Sequence, residues 1–429
     1  MTRTIAVVAL AAGLIVPRLC AAQTPQPLSR QDAERIAVAS HPQVRMAEDL
    51  AAAASAQERE AKAPYYPMAF GSLTAADALS NSRIAAGGLN NPIILDRYSN
   101  GLTVSQLVTD FGRTSDLVKS ASFSSQAQQQ RTELTRADIL LRVDEAYFAA
   151  LKAQAVLKVA DDTVRARQAS LDQATALARN QIKSDLDVSF ASVDLTQAQL
   201  LLLQAQNDVQ SAFAELSDAL GYPGQRTFSL VDEPTPAGPP TDVDQLTASA
   251  LRDRPELVSQ RFAVAAAESF VSAQHDLWRP TISFVASAGY TPIHQSTLTD
   301  RYAAAGFNVN VPIFNGHLFG GLEAESAARF KFQQDRLQDL QDQAARDVRI
   351  AWLNATSAFQ RMGLADQFVT HATQAFNLAQ SRYQLGLSTI VELDQAQLNL
   401  TQAQISQASA RYDYAARLSI LDFEIGKRP

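Results

Sequence analysis

The sequence is poor in cysteine, in basic charge and in long apolar runs. Its one cysteine among 429 residues is Cys20, near the N-terminus. A single cysteine allows neither an intramolecular disulfide nor a thiolate metal site. The net charge at pH 7 is −7, which argues against nucleic acid as a partner because nucleic-acid-binding proteins carry a basic surface. No apolar run beyond the N-terminus reaches the roughly 18–20 residues of a transmembrane helix, which excludes helical membrane transporters.

Catalytic patterns are also missing from the sequence. The histidines are His41, His275, His294, His317 and His371. They show no His-x-x-x-His spacing and no acidic partner at the spacing of metal ligands, so we predict no metal site. A nucleophile elbow and a phosphate-binding glycine loop are absent as well. We therefore predict no enzymatic activity and no cofactor, and any transport must be powered by a partner protein.

The first 22 residues have the pattern of a secretory signal peptide. Arg3 precedes an apolar segment over 5–16, and small residues lead up to Ala22. This order predicts cleavage after Ala22 and export. Lipidation of Cys20 is the alternative, although the preceding Arg18-Leu19 is a poor lipoprotein signal. Cleavage removes two arginines, no acid and the cysteine, which leaves a cysteine-free chain with a net charge of −9.

The sequence contains an internal duplication. The pentapeptide LTQAQ occurs at 195–199 and again at 400–404, an offset of 205 residues. Further matches at this offset are Ala146-Tyr147 with Ala351-Trp352, and Gly221 with Gly426. The segment 222–243 contains five prolines, which predicts a linker because proline interrupts regular helix. We predict a first repeat over 23–221 and a second repeat over 244–429.

Within each repeat the hydrophobic period changes in the same order. Alanine-rich segments predict helices at 30–62 and 244–277. Alternation of apolar and polar residues then predicts β-hairpins at 66–108 and 280–314. The clearest apolar sets are Ile282, Phe284, Ala286, Ala288 and Tyr290, and Ala303, Ala305, Phe307, Val309 and Val311. Helical hairpins are predicted last, at 112–220 and 317–425.

The predicted helices are very long and the strands are few. Residues 113–220 contain no glycine or proline, and a helix from Gly112 to about Arg179 would be roughly 100 Å long. Four strands of about ten residues suit a tilted outer-membrane strand but cannot close a barrel in one chain. Because lipid cannot satisfy open sheet edges, several chains must share one barrel. The alternative is a soluble antiparallel sheet packed on the helices.

This order of elements resembles the TolC-like outer-membrane efflux protein family over nearly the whole mature chain. The segment Val311-Pro312-Ile313-Phe314-Asn315-Gly316 is similar to the strand-to-helix turn of the family, and Tyr383 to Glu392 is similar to its helix-to-helix turn at the periplasmic tip. The resemblance implies a homotrimer in the outer membrane, with a twelve-stranded β-barrel in contact with lipid. It also implies a periplasmic α-barrel of twelve helices, a periplasmic adaptor protein and an inner-membrane pump.

The resemblance also implies roles for residues of the tip. Glu392 matches the first acid of a ring that narrows the tunnel, and the second ring position is the neutral Gln395, with Asp394 beside it. Such a ring would attract cations. The alternative for Glu392 is a solvated acid at the start of a helix, where the macrodipole favours negative charge.

Two further sites follow from the same resemblance. A hydrogen bond between Tyr383 and Asp187 would hold the tip closed, without the family's basic partner, whose position falls on Ser388. The adaptor would dock on the helix turns, at Leu385, Gly386 and Leu387 in the second repeat and at Ile182 and Lys183 in the first. The first turn lacks glycine, and Asn180 is the residue expected to replace it.

We predict a passive exit duct through which a pump expels drugs or other small molecules. The exit duct of a type I protein secretion system is the alternative of the same type. A periplasmic coiled-coil adaptor or scaffold without a pore is an alternative of another class, and a secreted helical enzyme lacks any supporting residue pattern.

Overall fold

The computed structural model describes residues 27–76, 97–292 and 299–427. The predicted signal peptide with Cys20, most of the loop between the first two predicted strands, and His294 lie outside the described residues. No described helix is both long enough and apolar enough to cross a membrane.

Four long helices dominate the structure. They are α3 (Arg113–Arg179), α4 (Asp185–Ala219), α7 (Leu318–Gln384) and α8 (Ile390–Glu424). The helices α3 and α7 have 67 residues each, and α4 and α8 have 35 each. A helix of 67 residues is about 100 Å long. Each long helix packs on the shorter one that follows it, and α3 also packs on α8. The fold is therefore a pair of long helical hairpins, as the sequence predicts.

A series of six small side chains, spaced seven residues apart, forms the contact face of α7. Its members are Ala344, Ala351, Ala358, Ala365, Ala372 and Ala379, and all are buried. A strict seven-residue spacing keeps one seam of a helix facing its neighbour, as in coiled coils. The small alanine side chain lets the neighbouring backbone approach closely.

The predicted single helices at 30–62 and 244–277 are wrong in one respect, because each is broken in two. The structure has α1 (Arg30–Ser40) and α2 (Pro42–Ala61) in the first repeat, and α5 (Val243–Asp253) and α6 (Pro255–His275) in the second. Both breaks fall on the residue before a proline, His41 or Arg254. Proline disfavours helical backbone in the preceding residue and serves well as the first residue of a new helix.

A glycine packs against each of these breaks. Gly221 follows α4 and Gly426 follows α8, with φ angles of +78° and +72°. A Cβ atom on Gly221 would lie 3.1 Å from the Cα atom of His41, and one on Gly426 would lie 3.1 Å from the Cα atom of Arg254. The end of each long hairpin therefore touches the break between the two shorter helices.

The linker between the repeats is ordered by contacts with both hairpins. It contains a short strand, β4 (Ser229–Leu230), that pairs in parallel with β1 (Pro27–Leu28) near the start of the described chain. The Tyr147 hydroxyl lies 2.7 Å from the carbonyl oxygen of Val231. The Trp352 indole N–H donates to the carbonyl oxygen of Pro240 at 2.7 Å.

A four-stranded antiparallel sheet forms the end of the molecule opposite the turns between the long helices. Its strands are β2 (Met68–Ala76), β3 (Arg97–Thr109), β5 (Thr281–Tyr290) and β6 (Arg301–Asn310), in the order β2-β3-β5-β6. The register pairs Phe284 with Phe307 and Ala286 with Ala305, so the predicted apolar residues share one face. The edge strands β2 and β6 have no second partner strand in the described part of the chain.

Candidate functional site

The candidate site is the end of the molecule where α3 turns into α4 and α7 turns into α8. The two turns have the same backbone hydrogen bonds. In the second turn, Leu387 N–H donates to Arg382 O at 2.8 Å and Gly386 N–H donates to Tyr383 O at 3.1 Å. In the first, Ile182 N–H donates to Leu177 O at 3.0 Å and Gln181 N–H to Ala178 O at 2.9 Å. Both are Schellman motifs, which end a helix with one residue in the left-handed conformation.

The left-handed residue of the first turn differs from the expected one. Gln181 has a φ angle of +57°, whereas Asn180 stays at φ −90°. The expectation for Asn180 is therefore wrong. Gln181 is the counterpart of Gly386, whose φ angle is +74°, and the motif requires this conformation at that position whatever the residue. A residue with a Cβ atom adopts it at a cost of about 1–2 kcal/mol.

Both turns present apolar side chains to solvent. Leu385, Leu387 and Ile182 are each at least 65% exposed, and no atom lies within 4 Å of a Cβ atom built on Gly386. Lys183 places its Nζ atom 4.3 Å from the centroid of the Tyr383 ring. The predicted docking residues thus form one exposed surface with an apolar character, of a kind that marks interaction sites.

Tyr383 lies beneath this surface, and its hydroxyl is buried. In the part of the chain that the structure describes, this hydroxyl has no hydrogen-bond partner. Burial raises the pKa of Tyr383, and the negative charges of Asp187 and Asp394 raise it further. Asp187 is therefore close enough to act on Tyr383 electrostatically, but the predicted hydrogen bond between the two side chains is not formed within the chain.

Glu392 lies in the first turn of α8, where Thr389 caps the helix. The Thr389 hydroxyl accepts a hydrogen bond from the Glu392 N–H at 3.4 Å, and the Glu392 carboxylate lies 3.3 Å from Arg382 Nε. Both charged side chains are about half exposed. Gln395 is also exposed and donates to Asn399 at 3.1 Å. The two predicted ring positions thus share an exposed face of α8, and Glu392 has a basic neighbour that the sequence prediction missed.

Asp394 lies on another face of α8 and belongs to a buried ionic cluster. Arg167 on α3 places Nη1 2.9 Å from Asp194 on α4 and 2.9 Å from Asp394. The Arg167 side chain is only 7% exposed. Burial, followed by the hydrogen bond and charge of Asp194, raises the pKa of Asp394 to about 7, although Arg167 opposes the shift.

Neither Arg167 nor Asp194 was among the predicted site residues. The available signal was the position of Arg167 in an alanine series of α3, 205 residues before the buried Ala372. A charge at a position that is otherwise buried and apolar indicates a buried partner.

The sequence matches a known family in both repeats. The model of the family described as outer membrane efflux protein matches residues 35–222 and 246–427. Together these two segments cover most of the chain.

Curated relatives cover most of the chain at low identity. Outer membrane protein TolC of Escherichia coli is 23% identical over 87% of this chain and 77% of its own length. Outer membrane efflux protein BepC of Brucella suis is 24% identical over 73% of this chain and 68% of its own length. Alkaline protease secretion protein AprF of Pseudomonas aeruginosa is 24% identical over 77% of this chain and 70% of its own length.

Solved structures of outer-membrane proteins share the fold. CusC superposes with a TM-score of 0.79 at 19% identity, covering 94% of this chain and 93% of its own. VceC of Vibrio cholerae superposes with a TM-score of 0.77 at 19% identity, covering 92% of this chain and 96% of its own. These comparisons confirm the predicted fold class, and the proteins compared are outer-membrane proteins and channels rather than enzymes.

Proposed function

This chain belongs to the family of outer membrane efflux proteins, and from that premise we propose that three copies of it form the exit duct of a tripartite efflux system. The chain is an outer-membrane protein that extends into the periplasm and functions in efflux. The proposed duct passes drugs or other small molecules outward, and it is closed at the periplasmic tip formed by the turns at 180–184 and 385–389.

The observation that carries this proposal is the open sheet at one end of the two long hairpins. Strands β2 and β6 each leave an edge unpaired in the described chain, and unpaired edges are prohibitive in lipid. Pairing β6 of one copy with β2 of the next satisfies both edges. Ile313 and Phe314, just beyond β6, are 91% and 81% exposed, as expected of side chains that a neighbouring copy covers.

The proposed number of three copies comes from the resemblance to the family, and the geometry of barrels agrees with it. An eight-stranded barrel is just wide enough for side chains to fill and barrels of more strands are wider, and three copies of this sheet supply twelve strands. The four long helices of each copy would then supply the twelve helices of a periplasmic tunnel about 100 Å long. Such a tunnel suits a protein that must reach across the periplasm.

The exposed tip supports docking of a periplasmic adaptor, through which an inner-membrane pump would supply the energy. Leu385, Leu387 and Ile182 are apolar and exposed, and Lys183 adds a positive charge beside them. An apolar surface with a charged rim fits a helical tip of another protein.

Export of proteins by a type I secretion system is the second candidate. The similarity to AprF, whose name describes secretion of alkaline protease, favours it. Both candidates use the same duct and differ in the pump, so the duct itself is tested first.

The test is the conductance of the purified protein in planar bilayers, together with its mass in detergent. We expect trimers with a small, cation-selective conductance. Glu392→Ala should reduce the cation selectivity because the substitution removes three negative charges from the proposed constriction.

The outcomes separate the duct from its gate. If the wild type conducts and Glu392→Ala has the same ion selectivity, the result supports the duct but shows that Glu392 does not lie at the constriction. Monomers without conductance would overturn the proposal and favour a periplasmic scaffold. Deletion of genes for candidate pumps, scored by drug retention or by protein export, then separates the two kinds of cargo.

A further inference from the structure

Arg167 interrupts a series of apolar, mostly small residues on α3 that are spaced seven apart and buried, except for the partly buried Ala153. The series corresponds to the alanine series of α7 and contains Ile139, Ala146, Ala153, Ala160, Arg167 and Ala174. The counterpart of Arg167 on α7 is Ala372, which is buried. The packing of the second hairpin shows that this position needs no charge. The arginine therefore requires an explanation beyond the packing of the helices.

The partners of Arg167 join the two repeats. Asp194 belongs to the same hairpin as Arg167, whereas Asp394 lies on α8 of the other hairpin, 227 residues away. Arg167 Nη2 also approaches the backbone oxygen of Asp394 at 3.5 Å. The counterparts of the two acids in the opposite repeat are Asn399 and Ser189, which carry no charge. The ionic cluster at the junction of α3, α4 and α8 therefore has no counterpart at the equivalent described positions of the other repeat.

The cluster has one positive charge for two carboxyl groups. The groups that face Asp394 are Arg167 on α3, Asp194 on α4 and the neutral phenol of Tyr383 on α7. Lys183 places Nζ 4.3 Å from the centroid of the Tyr383 ring, and the charge of Asp187 also acts on Tyr383. When both acids are ionised, the buried cluster has a net charge of −1. When Asp394 binds a proton, its hydroxyl can donate to Asp194, and the cluster is neutral.

We propose that Arg167, Asp194 and Asp394 form a proton-dependent clamp that holds the second helical hairpin against the first and so keeps the periplasmic tip closed. This inference rests on the proposed function. Arg167 is a positioning residue, since it acts on the opening of the tip through the two acids and not by contact with cargo.

The direction of the pH effect on opening follows from the coupling between opening and proton binding by Asp394. Opening that moves α8 away from α3 exposes Asp394 to water and returns its pKa from about 7 toward the ordinary value of 3.8. Opening therefore releases a proton, and the closed state is favoured as the pH falls. For one subunit, a shift of this size changes the ratio of open to closed by about tenfold between pH 6 and pH 8.

The experiment measures the opening of the tip at pH 6 and pH 8 in the full-length protein in detergent or bilayers. One readout is the open probability of single channels. The other is hydrogen exchange of backbone amides in residues 390–400, which does not depend on conductance. The wild-type protein should open more at pH 8, and the start of α8 should be less protected there after each exchange rate is divided by the intrinsic rate at that pH.

Variants separate the clamp from general effects of pH. Asp394→Asn should remove the difference between pH 6 and pH 8 and leave the tip closed at both. Arg167→Gln should open the tip further at pH 8, and Arg167→Lys, which keeps the charge, should restore part of the closure. The matched control is Asp413→Asn, because Asp413 and Lys152 also join α8 to α3 through an ion pair, but an exposed one.

The results have distinct meanings. Equal protection of residues 390–400 at both pH values in the wild type, or a pH-dependent loss of protection that persists in Asp394→Asn, would overturn the clamp. Loss of the difference between pH 6 and pH 8 in the control Asp413→Asn would also overturn the clamp. Absence of conductance in every variant, with the expected exchange pattern, would retain the clamp and count against the exit duct instead.

Discussion

Tyr147 and Trp352 lie at equivalent positions of the two repeats, 205 residues apart, and each bonds the backbone of the linker between the repeats. Tyr147 is fully buried, and its hydroxyl also lies 2.9 Å from the carbonyl oxygen of Leu28. Burial raises the pKa of Tyr147 to about 12, so this hydroxyl remains a donor throughout the physiological range. The pair thus secures the Pro-rich linker against the middle of both long helices.

Loss of the Tyr147 hydroxyl should weaken this attachment. We expect Tyr147→Phe to lower the free energy of unfolding by about 1–2 kcal/mol, because the substitution removes the one hydroxyl hydrogen that lies within reach of the carbonyl oxygens of Leu28 and Val231. Trp352→Phe should cost less, since Trp352 is partly exposed and water can replace its N–H. Thermal unfolding followed by circular dichroism, at fixed protein and detergent concentrations, measures which of the two variants loses more stability. A larger loss for Trp352→Phe would contradict this prediction.

The glycines in left-handed conformations should differ in their tolerance of alanine. Gly386→Ala should lower the free energy of unfolding by about 1–2 kcal/mol, because the left-handed backbone is unfavourable by that amount for a residue with a Cβ atom. Gly426→Ala should cost more, because its Cβ atom would also lie 3.1 Å from the backbone of Arg254. The comparison of melting temperatures needs no further control, since both substitutions add the same atom.

The ion pair between Glu392 and Arg382 leads to a second prediction about ion selectivity. Arg382 lies 3.3 Å from the Glu392 carboxylate and offsets part of its charge. In the proposed trimer, Arg382→Gln should therefore raise the preference for cations, whereas Glu392→Gln should lower it. Reversal potentials in a salt gradient measure both. The double variant should lie between the two single variants, and a strong cation preference in Glu392→Gln would place the selective charge elsewhere.

The buried Tyr383 hydroxyl leads to a prediction opposite to that of the sequence resemblance. Because this hydroxyl has no partner in the described residues, Tyr383→Phe should leave thermal stability unchanged or raise it slightly. The contact between Lys183 and the ring should survive, since phenylalanine also binds cations. Drug leakage and conductance should equal those of the wild type. Increased leakage would show that the hydroxyl gains a partner in the assembled trimer.

Residue spacing alone was enough to predict much of this fold. The absence of glycine and proline over residues 113–220 predicts the long hairpin, and the alternation around Phe284 predicts the face that it shares with Phe307. These predictions succeed because the spacing of apolar residues in helices and strands repeats every few residues and so can be seen within a short segment. The breaks before Pro42 and Pro255 follow the same kind of rule and were missed because the alanine-rich pattern continues across them.

The candidate site was predicted less completely. The exposed turn at Leu385, Gly386 and Leu387 could be located from its glycine and its resemblance to known turns. The first turn could not, because the position in a Schellman motif, and not the residue type, gives Gln181 its left-handed backbone. Arg382 beside Glu392 was missed because this contact spans the turn between two helices.

The long helices, the two-faced strands and the repetition of both thus follow from residue spacing, because they depend on periods within each segment. The contact between Arg167 and Asp394 depends instead on how the helices pack. Packing of α3 against α8 brings together residues 227 positions apart, and the spacing within either helix contains no information on that contact. The pKa of Asp394 is decided at the same level, since it depends on burial and on Asp194, and both exist only when the two hairpins are packed.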